Sequence, residues 1–455
     1  MERIHLIGVG RTGLSAIARV LLEKGYAVSG SDQHYSDLAK SVEKAGVKFF
    51  LGHHPDNING ADIVIRSSAI PDDNIEVIAA RLKGIPVYKR SDYLNELMAE
   101  QSVIAVAGTH GKTTTSAMIA WITSALRENP SFIIGGVVSN LKTNARYGKG
   151  QYFIIEADEY DRMFLGLDPH IAVITNIEHD HPDCFPSFDD YTQAFKEFVG
   201  HLTSGSSLII CGDDPNSAEM IRIAKDNGCS TFTYGINNFE YNYKATRCKP
   251  DQKRGGYTFS IEGMAFQPQV VSLKVPGLHN VRNAVAAFAV ADTLGLDHYD
   301  VAQALSSYKG TNRRFEYIGE KGGITVISDY AHHPTEISAT LSATKSNFPD
   351  RRIIAVWQPH TYSRTQLLSE QFTEAFTDAD LVLVTEVYPA REPINEAYSS
   401  KQLVDVMVHP NVHFVPKLLD VVNYLKINLR PNDVLIVLSA GDADQICSWI
   451  LSEIN

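Results

Sequence analysis

The segment that most constrains the fold of this chain is AVAGTHGKTTT, residues 105–115. Small and β-branched residues lead into it, and apolar residues at 117–122 follow it at helical spacing. A strand, a tight glycine loop and a helix N-terminus together turn backbone N–H groups towards an anion. The segment therefore predicts an α/β domain that binds a nucleoside triphosphate.

Two side chains of this loop carry the predicted chemistry. Lys112 is expected to add a positive charge beside the phosphates, and the Thr113 hydroxyl is expected to ligate Mg²⁺. The loop departs from the general phosphate-loop pattern because Val106 stands where a glycine is expected, and a chance Gly-Lys-Thr on a surface turn is the alternative. The predicted phosphate-site residues are Gly108, Thr109, His110, Gly111, Lys112, Thr113 and Thr114.

Length, charge and cysteine content narrow the class of protein. With 455 residues the chain is too long for one hydrophobic core, and it predicts about three domains. Its formal net charge of -12 argues against a broad surface for nucleic acid or an anionic membrane, and no apolar run reaches the roughly 18 residues of a membrane span. The five cysteines are scattered without C-x-x-C spacing, which favours free thiols in a reducing compartment. We therefore expect a cytoplasmic protein with a small-molecule ligand.

The start of the chain has the pattern of a Rossmann-type βαβ unit. A strand predicted at 4–9 runs into a glycine turn with Gly10 and Gly13, a helix is predicted at 14–24, and a second strand ends at Asp32. Such a turn holds a diphosphate at the helix N-terminus, and an acidic residue about twenty positions on binds a ribose hydroxyl. The pattern fits a dinucleotide or another diphosphate, such as that of a nucleotide sugar.

Three further residues of this region lie near a predicted strand. Ser67 and Ser68 follow a strand predicted at 61–66, at the edge where open α/β sheets bind ligands. His53 precedes that strand, and an exposed loop histidine is as good an interpretation of it as a ligand. A polar segment near residue 100 marks the expected end of the first domain.

Carboxylates follow two strands of the predicted central sheet. Glu156 adjoins a strand, which is where a Mg²⁺ ligand of a triphosphate site belongs. For Glu159 and Asp161 a solvated loop is an equally good interpretation. The second segment, NIEHDHPD at 176–183, is dense in metal-capable groups and includes His181. Zinc is the competing metal there, although no cysteine or further histidine stands nearby at a zinc spacing.

Polar residues recur at element ends in the last part of the chain. Asn280 and Asn283 stand three apart near a helix predicted at 284–294, so their amides could bond a base edge; an N-cap with a surface asparagine is the alternative. DYAHHPTE at 329–336 and QPHTYSRT at 358–365 each follow a predicted strand. We expect one site where the ligand edges of three α/β domains meet.

Motifs along essentially the whole chain resemble those of the Mur ligases of peptidoglycan synthesis. In order they are GVGRTGLSAIA with GSD, SSAI, GTHGKTTT, EADEYD, TNIEHDHPD, PGLHNVRNA, RRFE, DYAHHPTE and QPHTYSRT. The resemblance is strongest to the members that attach L-alanine to UDP-N-acetylmuramate. It implies an amide ligase that uses ATP and Mg²⁺, in which ATP phosphorylates the muramate carboxylate and the alanine amine then attacks the acyl phosphate. A murein-peptide ligase, which joins a tripeptide to the same sugar nucleotide, is the nearest alternative.

The same resemblance implies an α/β fold with the three-domain Mur ligase architecture. Residues 1–100 would form a Rossmann-like domain that binds the UDP substrate, and residues 101–311 a central P-loop ATPase-like domain. Residues 312–455 would form a Rossmann-like α/β domain that closes on ATP and binds the amino acid. A monomer or weak homodimer is expected.

The resemblance also implies a role for each matching residue. Lys112 would contact the γ-phosphate, and the Mg²⁺ ligands would be Thr113, Glu156 and His181. The adenine contacts would be His279, Asn280 and Asn283, with Arg314 and Asp329 closing over ATP. The amino acid and the muramoyl group would be held by Tyr330, His332, His360 and Arg364. No single general base stands out in the sequence, and His332 or His360 could serve as one or could simply orient the substrate. The UDP contacts would be Gly10, Gly13, Asp32, His53, Ser67 and Ser68.

The chain departs from the family pattern at two positions. Thr361 stands where some members have arginine, so recognition of a substrate carboxylate is expected to fall to Arg364 or another group. Phe195 stands where several sister ligases carry a carbamylated lysine, so that role is not assigned to the neighbouring Lys196.

Overall fold

The computed structural model describes residues 2–236, 238–251, 255–263 and 265–454. The chain divides into two compact units. The first unit comprises Met1–Ile177, Thr192–Tyr234 and Ala286–Ala304, and the second comprises Glu178–Tyr191, Gly235–Val285 and Leu305–Asn455.

The first sheet of the first unit is entirely parallel, with strand order β3-β2-β1-β4-β5. Its strands are β1 (Arg3–Ile7), β2 (Ala27–Asp32), β3 (Lys48–Leu51), β4 (Ile63–Arg66) and β5 (Val87–Lys89). Its helices are α1 (Thr12–Lys24), α2 (Asp37–Ala45), α3 (Ile75–Leu82) and α4 (Arg90–Met98), with a 3₁₀ turn at Pro55–Ile58. The order reverses between β1 and β4, so the glycine turn after β1 and the serines after β4 lie at the switch point where such sheets bind ligands.

The second sheet of this unit has the order β12-β11-β10-β6-β9-β7-β8. Its strands are β6 (Ser102–Ala107), β7 (Ser131–Val138), β8 (Thr143–Arg146), β9 (Tyr152–Glu156), β10 (Ile171–Ile174), β11 (Ser207–Cys211) and β12 (Ser230–Ile236). The helices here are α5 (Lys112–Ala125), α6 (Phe188–Gly200) and α7 (Ser217–Asp226), with a 3₁₀ segment at Tyr160–Gly166. All residues of β10 are buried, as expected for a parallel strand covered on both faces.

The second unit contains an antiparallel hairpin series and a larger mixed sheet. The series consists of β13 (Tyr243–Pro250), β14 (Tyr257–Gly263) and β15 (Gln269–Leu273). Along the chain it is followed by α8 (Leu278–Thr293), which begins in the second unit and continues into the first, and by α9 (His298–Ser306), most of which belongs to the first unit. The larger sheet, in the order β16-β17-β21-β18-β19-β20, is parallel except for β16. Its strands are β16 (Glu316–Lys321), β17 (Ile324–Asp329), β18 (Arg352–Gln358), β19 (Leu381–Val384), β20 (Val412–Phe414) and β21 (Asp433–Ser439). Its helices are α10 (Pro334–Asn347), α11 (Tyr362–Leu367), α12 (Ser369–Glu374), α13 (Ser400–Val404), α14 (Leu418–Asn428) and α15 (Gln445–Glu453).

Apolar clusters cover both faces of this larger sheet. On one face, the fully buried Trp357 ring lies 4.6 Å from the ring of Phe372 and 5.2 Å from that of Phe376. Burying aromatic rings of this size contributes several kcal/mol to the core. The sheet is thereby a rigid support for the polar residues that follow its strands.

The α/β fold is confirmed, whereas several predicted element limits are wrong. β1 ends before Gly8, because that residue has φ +89° and leaves the extended conformation. The helix predicted at 284–294 already begins at Leu278. The hairpin series β13–β15 was not predicted. The expected domain limits at residues 100 and 311 stay predictions.

No helix in the described part of the chain combines the length and the apolar character that a membrane crossing requires.

Candidate active site

The phosphate loop lies between β6 and α5 and is braced by the residues that follow β10. Thr109 N donates to the carbonyl of Asn176 at 3.0 Å, and His110 N donates to Asn176 Oδ1 at 2.9 Å. Gly108 has φ +128°, and a Cβ atom there would collide with the Thr175 hydroxyl. Gly111 precedes α5 without a side-chain cap, and the N-terminus of a helix favours an anion. The predicted strand-loop-helix geometry is therefore present.

Lys112 is folded back onto its own loop and paired with a buried carboxylate. Its Nζ donates to the carbonyls of Gly108 at 2.6 Å and Thr109 at 3.1 Å, and to Glu159 Oε2 at 2.7 Å. Burial alone would lower the pKa of Lys112, but the carboxylates of Glu159 and Asp158 outweigh that effect and raise it. Glu159 is fully buried, so the interpretation of this residue as part of a solvated loop is wrong.

Two of the three predicted Mg²⁺ ligands are in contact. The Thr113 hydroxyl donates to Glu156 Oε1 at 2.8 Å, and Gly135 N donates to Glu156 Oε2 at 2.6 Å. A hydroxyl and a carboxylate beside a phosphate loop are the hard oxygen donors that Mg²⁺ prefers, so these residues fit that ion. His181 belongs to the second unit, where its N–H donates to Asp180 Oδ1 at 2.7 Å, and its role as third ligand stays a prediction.

The glycine turn of the first sheet is held by Asp32. Oδ2 of this carboxylate accepts from Gly10 N at 3.0 Å and Oδ1 accepts from His34 N at 3.2 Å. A Cβ atom added at Gly13 would collide with the guanidinium of Arg90, which therefore lies against the start of α1. Sequence reasoning missed Arg90, although a basic residue directly after β5 was a visible signal.

His53 joins a buried network around Glu76 and is not the exposed histidine of the alternative interpretation. Its Nδ1 lies 3.2 Å from Glu76 Oε2, and its side chain is 8% exposed. Glu76 also accepts from Ser31 Oγ at 2.5 Å and Asn57 Nδ2 at 2.6 Å. Burial would raise the pKa of Glu76, but His5, Ser31 and Asn57 lower it to about 2. Sequence reasoning missed this carboxylate because nothing in α3 marks it as a partner of residues so far away.

Ser67 and Ser68 both follow β4, as predicted. The backbone N–H of Ser67 donates to the Ile7 carbonyl at 3.0 Å, and its side chain is half-buried. Ser68 is exposed. Contact of either serine with UDP stays a prediction.

The two asparagines predicted at the adenine lie at the start of α8 and are both buried. Asn280 Nδ2 donates to the Pro276 carbonyl at 2.6 Å, and Asn283 Nδ2 donates to Asn280 Oδ1 at 3.2 Å. The alternative of a surface asparagine is therefore wrong for Asn283. His279 packs against Gly277, where a Cβ atom would collide with its ring.

Asp329, at the end of β17, organises the backbone around Arg314. Its two oxygens accept from Phe315 N and Ala331 N, each at 2.7 Å. Burial raises the pKa of Asp329 to about 6, although Arg314 works in the opposite direction. The guanidinium of Arg314 lies 5.1 Å from the centre of the Tyr330 ring. The predicted site residues Arg314, Asp329 and Tyr330 thus lie close together in the second unit.

Arg364 is committed to a buried ion pair. Its Nε donates to Asp180 Oδ1 at 2.7 Å, and these side chains are 1% and 4% exposed. Burial would raise the pKa of Asp180, but Arg364 and His181 hold it well below its usual range. Arg364 Nη1 lies 3.1 Å from His360 Nδ1. Sequence reasoning missed Asp180 as the partner of this arginine.

The neighbouring histidines differ in their surroundings. Burial, together with His332 and Arg364, lowers the pKa of His360 to about 2. His332 Nδ1 lies 3.0 Å from the Tyr330 carbonyl and 3.2 Å from Glu336 Oε2. The two imidazole rings meet edge to face, with their centres 5.7 Å apart.

Thr361, the residue at the first departure from the family pattern, adopts a strained conformation. Its φ is +64°, and its side chain is 1% exposed. Its hydroxyl makes no hydrogen bond within the described part of the chain. A threonine side chain has neither the length nor the positive charge of the arginine that some members have at this position.

Three family models match the chain in succession. They are Mur ligase family, catalytic domain, over residues 3–102; Mur ligase middle domain over residues 106–291; and Mur ligase, glutamate ligase domain, over residues 313–441. A UDP-N-acetylmuramate--L-alanine ligase of Roseiflexus sp. (strain RS-1) is 40% identical over 99% of each chain. That of Rubrobacter xylanophilus is 41% identical over 99% of this chain and 100% of its own.

Two solved structures are also similar to this chain over nearly its whole length. The UDP-N-acetylmuramate-alanine ligase of Thermotoga maritima has a TM-score of 0.83 and 29% identity, over 99% of both chains. The murein peptide ligase of Psychrobacter arcticus has a TM-score of 0.73 and 25% identity, over 100% of this chain and 98% of its own.

Proposed function

Because the chain belongs to the Mur ligase family, we propose that it uses ATP to join L-alanine to the carboxylate of UDP-N-acetylmuramate, forming ADP and phosphate. The observation that carries this proposal is that relatives with this named activity match over nearly their whole length at about 40% identity. The peptide ligase is less similar, at 25% identity. The phosphate loop supports the use of ATP in this reaction.

ATP activates a carboxylate in this reaction. The γ-phosphate is transferred to the muramate carboxylate, the alanine amine attacks the resulting acyl phosphate, and phosphate leaves. Transfer of a phosphoryl group depends mainly on positioning and on neutralising charge. Lys112 supplies a positive charge, and the loop N–H groups hold the phosphates. Mg²⁺, when bound by Thr113 and Glu156, would add charge neutralisation between the phosphates.

Lys112 must exchange partners when ATP binds. The Nζ atom of Lys112 donates hydrogen bonds to the carbonyls of Gly108 and Thr109 and to the carboxylate of Glu159. These three hydrogen bonds occupy the N–H donors that a γ-phosphate would need. We expect the two loop carbonyls to be released first, since a carboxylate is the stronger acceptor. Glu159 then keeps the ammonium oriented towards the phosphates.

We place the reaction in the cytoplasm and assign the chain no nucleic-acid or membrane partner. The cysteines Cys184, Cys211, Cys229, Cys248 and Cys447 are free thiols, as predicted. Free thiols in this number suit a reducing compartment. A monomer or weak homodimer stays a prediction.

Phosphate release from the purified protein tests the proposal. With ATP, Mg²⁺ and UDP-N-acetylmuramate, we expect release that depends on L-alanine and is weaker with glycine or L-serine. A reaction without an amino acid and a Lys112→Ala variant are the controls. Release with the tripeptide alone would support the peptide ligase, and no release with any of these acceptors would overturn the proposal.

A further inference from the structure

We propose that His332 and His360 have opposite proton roles towards the amino acid. His332 accepts a proton from the α-ammonium group through Nε2, whereas His360 only donates, from Nε2–H to the α-carboxylate. This inference rests on the proposed function and deepens it. Sequence reasoning left the base open between these two histidines, and their hydrogen-bond partners separate them.

The partner of His360 fixes where its proton lies. Arg364 Nη1 lies 3.1 Å from His360 Nδ1, and a guanidinium can only donate. Nδ1 must therefore be the acceptor, which places the single proton of the neutral ring on Nε2. The ion pair between Arg364 and the buried Asp180 keeps the guanidinium in place. Burial beside this cation also opposes a second proton, in line with the low pKa of His360. His360 is thus a donor and not a base.

The partners of His332 fix the opposite form. Its Nδ1 lies 3.0 Å from the carbonyl of Tyr330, and a carbonyl can only accept. Nδ1 therefore carries the proton, and Nε2 carries the lone pair. Glu336 Oε2, 3.2 Å from the same Nδ1, stabilises the imidazolium that forms when Nε2 takes up a proton. A carboxylate behind a histidine is the arrangement that supports a general base.

The charged groups around His332 come from several elements. Glu336 lies on α10, and Arg314 Nη1 is 3.8 Å from its other oxygen. His360 follows β18 and is kept neutral, while Asp180 contributes a negative charge from outside the sheet. Among the described residues, no group hydrogen-bonds to Nε2 of His332 or His360. Both nitrogens are therefore available to a substrate.

The two side chains match the two ends of an amino-acid zwitterion. The rings are 5.7 Å apart, with an acceptor on one and a donor on the other. An α-amino acid presents both complementary groups, an ammonium donor and a carboxylate acceptor.

The proposed step conserves protons and electrons. His332 Nε2 takes one proton from the ammonium group, which leaves a neutral amine. The nitrogen lone pair forms a bond to the acyl carbon, and the carbonyl π electrons move to oxygen. When this tetrahedral species collapses, the bond from carbon to the phosphate oxygen breaks and phosphate leaves with its electron pair. The second nitrogen proton goes to that phosphate, and the imidazolium later releases its proton to water.

Hydroxylamine separates this role from the rest of the reaction. It is a neutral nucleophile at pH 7, so it captures an acyl phosphate as a hydroxamate without a base. His332→Asn keeps a donor for the Tyr330 carbonyl but removes the Nε2 lone pair. We expect its kcat with L-alanine to fall by about 100-fold or more at pH 7. We expect its rate with hydroxylamine to stay within about threefold of the unmodified protein, which shows that it is folded and forms acyl phosphate.

His360→Asn is the matched variant, because it keeps an acceptor for Arg364 and removes Nε2–H. It should raise the KM for L-alanine by about tenfold, with a smaller effect on kcat. Raising the pH should restore the rate of His332→Asn by about tenfold per pH unit, because more of the alanine is then a free amine. His360→Asn should show no such recovery.

Glu336→Gln tests the positioning role of Glu336, because it keeps an acceptor for the backbone and removes the charge. We expect a lower kcat with L-alanine, an unchanged KM and an unchanged hydroxylamine rate. If Glu336 served only to cap α10, Glu336→Gln would change the rates with L-alanine and with hydroxylamine to the same extent. Equal kcat values with L-alanine for His332→Asn and the unmodified protein would overturn the inference, as would pH recovery in His360→Asn alone. Absence of both hydroxamate and L-alanine-dependent phosphate release from the unmodified protein would instead overturn the proposed function.

Discussion

The contact between Lys112 and Glu159 shows how a single residue can serve both the fold and the reaction. Glu159 is fully buried, and its carboxylate pairs with the lysine of the phosphate loop. A buried charge that loses its partner destabilises a protein strongly, because its hydration is not regained. Removing the lysine should therefore affect folding as well as activity.

We predict that Lys112→Met lowers the free energy of unfolding by about 3 kcal/mol and abolishes phosphate release. Lys112→Met combined with Glu159→Gln should recover most of the stability and none of the activity. Urea unfolding and the phosphate assay measure both quantities. If the double variant were as unstable as the single one, the ion pair would not explain the loss.

Arg90 is the residue that we expect to contact the diphosphate of the sugar nucleotide. Its guanidinium lies against Gly13 at the start of α1. Arg90→Ala should raise the KM for UDP-N-acetylmuramate by about tenfold or more and leave the KM for ATP unchanged, since a charged hydrogen bond contributes about 1.5–3 kcal/mol. Arg81→Ala, which removes an exposed arginine paired with Asp72, is the control. Equal effects of the two substitutions would contradict this assignment.

At the scale of elements, Glu76 ties α3 to the end of β2 and to the turn at Pro55–Ile58. The carboxylate reaches Ser31, His53 and Asn57, which lie on different elements. Its ionised form is stabilised in the folded state, because its pKa falls from an ordinary value of 4.5 to about 2. This stabilisation is fully present above the unfolded pKa and is lost as the pH falls through the folded one.

We predict that Glu76→Gln lowers the free energy of unfolding by about 3 kcal/mol at pH 7. The difference from the unmodified protein should shrink between about pH 4.5 and pH 2, where the native carboxylate takes up its proton. Urea unfolding of both proteins across this range measures it. If the difference in the free energy of unfolding stayed constant with pH, the substitution would act through lost packing and not through the lost charge.

Elements with a strong local pattern could be predicted from the sequence. The side chains that contact each other across long stretches of the chain could not. Lys112, Thr113 and Glu156 could be predicted as site residues because each adjoins a strand or opens a helix. Asp180 and Arg364 stand 184 residues apart, and only tertiary structure pairs them. The hairpin series β13–β15 was missed because its strands lack the βα alternation used to find the others. Local sequence thus located the candidate site, while long-range packing set the protonation of its side chains.

At the scale of the whole molecule, the predicted ATP contacts are divided between the two units. Lys112 and Glu156 belong to the first unit, whereas Asn280, Arg314 and Asp329 belong to the second. Dividing the ligand contacts among domains predicts hinge closure on binding, which would exclude water from the acyl phosphate. Closure therefore stays a prediction of the proposed function.

We expect the radius of gyration in small-angle scattering to fall when an ATP analogue and UDP-N-acetylmuramate are both bound. Either ligand alone should give a smaller change, and Lys112→Met with both ligands is the control. Scattering curves that stay unchanged with both ligands would count against closure.

The packing of Arg90 on Gly13 has a consequence for how such a chain can diverge. Any side chain at residue 13 would displace the guanidinium, so a mutation at one position alters the fitness of mutations at the other. The two positions should therefore change together over evolutionary time. A lineage that keeps the arginine can acquire alanine at residue 13 only if the flexible guanidinium moves away from the start of α1, and one that abandons the arginine has no such requirement.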